Sequence, residues 1–174
     1  MKPEDGFTVI EMLLVVALIG IVATIAVPAL SKARAAAAEA STISSLRSLV
    51  TAQASYAANC GSGFFAPTVL SLSSGTGNTA FIGQEFGADV VDRFGYRIRF
   101  AAGTVAAAAP KTCNGLAAGQ TVQSYFIAAD PLQTGLGVGV RHFGTGPGAT
   151  IYQSAVLINA FYSGTPPAPA QPIQ

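Results

Sequence analysis

Residues 12–30 read MLLVVALIGIVATIAVPAL, a run of nineteen positions without a charge. At about 1.5 Å of rise per residue such a run makes a helix about 28 Å long, close to the roughly 30 Å hydrocarbon core of a bilayer. A small water-soluble domain has no room to bury that surface all round, so the run restricts the chain to folds that place it in a membrane or against other apolar helices. A secretory signal peptide carries a shorter apolar run, of about 7–15 residues, behind a basic start. Here the start holds Lys2 against Glu4 and Asp5. A small-residue site at Ala33-Arg34-Ala35 keeps cleavage there as an alternative. A single-pass anchor is the simpler reading.

Neither reading accounts for Glu11. It stands one residue before the uncharged run, inside an apolar stretch that begins at Phe7. A carboxylate in the bilayer costs about 2.5–3.5 kcal/mol even on the lenient insertion scale, and it usually has a partner. The nearest basic residues, Lys2 and Lys32, both lie outside the run. The expectation is a carboxylate that waits for a cation from elsewhere, and a plain anchor gains nothing from such a residue.

The segment Gly6-Phe7-Thr8-Val9-Ile10-Glu11-Met12-Leu13-Leu14-Val15-Val16 closely resembles the cleavage and methylation signature of type IV prepilins and type II secretion pseudopilins. The resemblance is strong over about residues 1–35 and weaker to about Ala58. It implies a leader, residues 1–6, removed by a prepilin peptidase at the Gly6–Phe7 bond, with N-methylation of Phe7. It also implies that Glu11 pairs with the N-terminal amine of a neighbouring subunit during assembly. That chemistry supplies the missing cation, because cleavage creates an ammonium group four residues from Glu11. In low dielectric such a pair interacts strongly, although desolvation removes much of the gain. Lys32 and Arg34 follow the span while the leader has only Lys2, so charge asymmetry alone does not place the N-terminus in the cytoplasm. The resemblance does.

Beyond Leu30 the alanine-rich segment 31–40 propagates a helix to about residue 58. Ile43, Leu46, Val50, Ala54 and Ala57 recur at three- and four-residue spacing as an apolar stripe, with Glu39, Arg47 and Gln53 elsewhere. Pro28 and Gly20 are weak points within the helix, and the resemblance implies that the stretch 20–28 can lose helicity on packing. A helix over residues 7–58 would be about 78 Å long, so its first half must project from the domain. Residues 60–79 read as a loop rich in Gly, Ser, Thr and Asn. Strands are expected at 93–101, with Phe94, Tyr96, Ile98 and Phe100 on one face, and at 122–129, 139–143 and 149–153. The Pro- and Gln-rich end, 165–174, reads as a mobile tail.

The expected fold is α+β: a long N-terminal helix, membrane-spanning in its first half, packed on a small antiparallel sheet. The expected segments are a leader (1–6), a transmembrane and polymerisation helix (7–30), its amphipathic continuation (31–58), a globular β domain (59–164) and the tail (165–174).

Other chemistry is thin. Cys60 and Cys113 both fall outside the bilayer on this topology, in an oxidising compartment, and are expected to form a disulfide, with two free buried thiols as the alternative. Two Cys and one His do not make a zinc site. His142 with Asp130 and a serine would suit nucleophilic catalysis, but no G-x-S-x-G motif is present, and a surface histidine is the simpler reading. Glu85, Asp89 and Asp92 fall at helical spacing; calcium binding, as in a loop of some pseudopilins, competes there with a solvated face, and no EF-hand pattern supports it. A net charge of +1 gives no basic field for nucleic acid.

The chain is thus expected to be a structural filament subunit, not an enzyme, without metal or cofactor. Its implied partners are copies of itself, the prepilin peptidase and methylase, an inner-membrane assembly platform and the membrane. It would sit in the bacterial inner membrane before assembly and in a surface or periplasmic filament afterwards. A secretion pseudopilin and a membrane-anchored binding domain are the alternatives. If the signature is processed, removal of six of the 174 residues leaves a chain of 168 that starts at methylated Phe7. Intact-mass spectrometry of the membrane form checks this; retention of Met1 or cleavage near Ala35 contradicts it.

Overall fold

A computed structural model describes residues 6–74, 80–133, 138–162 and 165–173. Most of the leader, residues 1–5, lies outside the described residues, as does part of the expected loop, 75–79.

One helix dominates. α1 runs unbroken over Val9–Asn59, 51 residues, or about 76 Å. Gly20 and Pro28 sit inside it without a break in the single chain. Pro28 removes the donor that the Thr24 carbonyl takes in a regular helix, and the Thr24 hydroxyl is itself satisfied by the Ile21 carbonyl at 2.7 Å. The large apolar residues between Phe7 and Leu30 are 44–80 % exposed. This half of α1 is long and apolar enough to cross a membrane, and none of its apolar window is buried by the rest of the chain.

The other half is core. Its buried residues are Glu39, Thr42, Ser45, Leu46, Leu49, Val50, Ala52, Gln53 and Tyr56. The stripe is therefore rotated from the expected one: Ala54 is exposed, while Leu49 and Tyr56 are buried. The reason lies in Gln53, expected on the polar side. It is fully buried, its amide nitrogen donating to the Ala66 carbonyl at 3.1 Å and its oxygen accepting from the Ala66 N–H at 2.9 Å. A buried amide satisfied on both sides packs as core, and this hides the true stripe from hydrophobicity alone.

Six strands follow: β1 (Val90–Arg93), β2 (Tyr96–Ala102), β3 (Tyr125–Pro131), β4 (His142–Thr145), β5 (Ile151–Ser154) and β6 (Gln171–Pro172). They form one antiparallel sheet in sequential order. Alternation sends Tyr96, Ile98, Phe100, Tyr125, Ile127, Ala129, Phe143 and Ile151 to the face that packs on Leu46, Leu49 and Val50 of α1. Phe126 and Ala128 point the other way, under Ile158 and Phe161.

Three expectations need correction. The strand expected at 93–101 holds only from Tyr96, and its start is the turn of a hairpin, with Arg93 paired to Tyr96 across Phe94 and Gly95. Both turn residues have positive φ, 53° and 79°, the geometry of a two-residue turn that matches strand twist. Phe94 therefore leaves the inward face and is half exposed, with the Arg93 guanidinium over its ring at 5.2 Å. The expected loop at 60–79 contains a short helix, α2 (Val69–Ser73), capped by Thr68 and by the Asp89 carboxylate, which accepts from the Val69 N–H at 2.7 Å. The Pro-rich tail supplies β6, and Ile173 packs against the main core.

Cys60, at the C-cap of α1, is bonded to Cys113 with Cα atoms 4.9 Å apart. The bond ties the end of α1 to the segment between β2 and β3 and closes a loop of sequence separation 53. Chain-entropy reasoning assigns such a loop about 4 kcal/mol. Unreduced protein is expected to resist alkylation, and reduction should move the denaturant midpoint of the head by a corresponding amount. Rapid labelling of both thiols in folded, unreduced protein contradicts the bridge.

Candidate assembly site at the helix N-terminus

The first turn of α1 is built by a sequence pattern. Thr8 is the N-cap, in extended backbone at φ −82°, ψ 151°, and Thr8 and Glu11 form a capping box. The Glu11 N–H donates to the Thr8 hydroxyl at 3.4 Å. One carboxylate oxygen of Glu11, Oε2, accepts from the Thr8 backbone N–H at 2.9 Å and from the Thr8 hydroxyl at 2.8 Å. Two of the donors that every helix leaves unpaired at its start are thereby satisfied. The carboxylate also faces the positive end of the helix dipole.

Glu11 was expected to lack a cation in its own helix. It lacks a cation there, but not hydrogen bonds. Among the described residues its second oxygen, Oε1, makes none, so the box holds the carboxylate in place and leaves one oxygen open. Thr8 was missed from the sequence, although Thr-x-x-Glu before an apolar run is a legible capping signal. Gly6 and Phe7 precede the cap in non-helical, exposed backbone, and nothing lies within 4 Å of where a Gly6 side chain would start. The expected scissile bond thus lies in exposed, non-helical backbone, with the helix starting just after it.

The remaining candidates lie elsewhere and are engaged. Asp89 caps α2. Asp92 makes a two-point bond with Arg97 at 2.8 and 2.9 Å, and this guanidinium holds its carboxyl below the usual range. Glu85 lies in a 3₁₀ turn, Gln84–Phe86. Among the described residues no three His, Cys, Asp or Glu side chains gather as a metal site. His142 Nδ1 is 2.7 Å from Asp130, whose other oxygen is paired with Arg99. The hydroxyl of Ser154, the strand partner of His142, accepts from the Val156 N–H at 3.1 Å. Sequence reasoning also set Glu39 on the polar side of the helix, whereas it is buried and paired with Arg141.

A long helix, apolar and bare at one end, packed at the other on an antiparallel sheet, is the pilin-like α+β arrangement. Residues 1–27 match the family profile described as the prokaryotic N-terminal methylation motif, the signature of type IV prepilins and pseudopilins. Comparisons with curated proteins and with solved structures gave no match. The motif and the apolar helix fit anchoring in the inner membrane.

The box makes a local prediction. Thr8→Val removes both hydroxyl bonds, and loss of a cap costs about 1 kcal/mol. Amide exchange in the first turn of α1, followed in micelles, should speed up roughly fivefold, while Thr8→Ser stays near wild type. Equal exchange in all three would show that the box contributes nothing.

Proposed function

We propose that this chain is a structural subunit of a type IV pilus-like filament, held in the inner membrane by α1 until its leader is removed and then polymerised through the same helix. The observation that carries the reading is the carboxylate of Glu11, fixed by its own helix with one oxygen open, next to the Gly6–Phe7 bond at the end of a bare apolar helix.

Cleavage after Gly6 turns the nitrogen of Phe7 into an ammonium group. That cation stands at the positive end of its own helix dipole, where a positive charge is disfavoured. Away from water it needs a carboxylate, and a neighbour's Glu11 offers one with an open oxygen. The apolar residues between Phe7 and Leu30 meanwhile exchange lipid for the same residues of neighbouring helices. Such contact is nearly neutral in hydrophobic terms, since lipid tails are as apolar as leucine. The ion pair therefore selects the axial stagger, while apolar packing holds the bundle together. The prepilin peptidase and methylase, the assembly platform and further copies of the chain are the partners in this reading, which needs no catalytic site or cofactor.

A secretion pseudopilin uses the same start and is the second reading. The disulfide-tied head and the loops around it favour a pilus.

Glu11→Ala leaves the neighbour's ammonium buried and uncompensated, at about 3–5 kcal/mol per contact. Sheared-fibre yield should fall on the order of a hundredfold, with export, cleavage after Gly6 and head stability nearly unchanged. Glu11→Asp should be intermediate, since the carboxylate survives with shorter reach. Normal fibres in normal amount from Glu11→Ala cells would sink the pairing.

A further inference from the structure

Glu39 is the first fully buried residue along α1; between residues 6 and 38 every position is exposed or only partly covered. Its carboxylate lies where the helix leaves the head, and four donors converge on it. Arg141 gives its Nε at 2.8 Å and its second guanidinium nitrogen. The Val140 N–H gives 3.2 Å, and the Tyr96 hydroxyl reaches Oε1 at 3.5 Å. Arg141 is held in turn by Gln153 on β5 at 2.5 Å and lies over the Phe143 ring at 5.7 Å. Burial, then the Glu39 carboxylate, push the Tyr96 hydroxyl well above its ordinary range, so it stays a donor. The bond to Glu39 holds Arg141 above its own ordinary value. Gly139 is required here, because a Cβ would overlap the Tyr96 hydroxyl and the Glu39 side chain.

We propose that this Glu39–Arg141 clamp is the joint that fixes the direction in which the projecting helix leaves the head, and with it the angle at which the head sits on a bundle of such helices. The proposal rests on the filament reading above. Apolar contacts between a helix and a sheet tolerate small slides, whereas hydrogen bonds to a buried charge do not. Among the described residues two buried polar side chains of α1 are fixed to the head: the Gln53 amide on Ala66, and the Glu39 carboxylate on Arg141, Val140 and Tyr96. They are about 21 Å apart along the axis, and Glu11 lies about 63 Å from Gln53. With the Glu39 point released, Gln53 is left as a single polar pivot about which the head can tilt against α1.

The test uses the full chain in detergent, with spin labels on unnatural residues placed at Ala37 on the helix and Lys111 on the head. Pulsed dipolar spectroscopy reads the width of the distance distribution. Glu39→Gln keeps the shape of the site and removes the charge, and Arg141→Lys keeps the charge and removes the fork and its stacking. Either is expected to widen the distribution about twofold and to lower fibre yield on the order of tenfold, with the disulfide intact and the head folded. Glu11→Ala should leave the width at the wild-type value. An unchanged width in a folded Glu39→Gln or Arg141→Lys chain overturns the clamp, whatever the fibres do. Wild-type chains that never form fibres would instead remove the filament reading and leave the widths to stand. If Glu39→Gln lowers the unfolding midpoint of the head, Arg141→Lys carries the same comparison.

Discussion

The rest of the structure depends on an imbalance along one helix. α1 exposes large apolar side chains throughout its first half and buries a different set against the sheet in its second. The head covers none of the apolar window in the first half, which is long and apolar enough to cross a membrane. α1 runs through Gly20 and Pro28 without a break in its helical path, so one helix joins the two environments.

Polar groups placed sparingly on this helix do the specifying. Glu11 is tied to Thr8, Gln53 to Ala66, and Glu39 to Arg141, Val140 and Tyr96. Each lies in or beside apolar surroundings where an unpaired group is expensive, so each admits few arrangements. The apolar contacts supply most of the cohesion, but they are nearly indifferent to a small slide or rotation. The three polar positions mark the beginning of the helix, its exit from the head and its seat in the core. On the filament reading proposed above, all three must be settled, because neighbouring subunits would meet the helix and the head together.

Much of this was legible in the residues themselves. The uncharged run, Glu11 at its edge and the Gly6-Phe7 pair are local features whose meaning does not depend on distant contacts. The long helix, the antiparallel sheet and the bridge between Cys60 and Cys113 followed from periodicity and compartment. The errors share one cause. Phe94 looks like a strand residue because its neighbours alternate, but the two-residue turn places it at positive φ. Gln53 and Glu39 look like surface residues because they are polar, and both are buried against partners 13 and 102 positions away. The segment at 165–174 looks like a tail because it is rich in proline, yet two of its residues complete the sheet.

The sequence by itself determined where the uncharged run lies, that residues 1–27 carry the methylation motif and which carboxylate stands at the helix start. Each is set by composition and spacing over a dozen residues, and a helix of that length forms its own hydrogen bonds whatever surrounds it. Only the tertiary structure decided which face of α1 is core and that Glu39 is clamped by Arg141. Those outcomes turn on whether a polar group finds a partner in space. Pairing of that kind has no period to read along the chain.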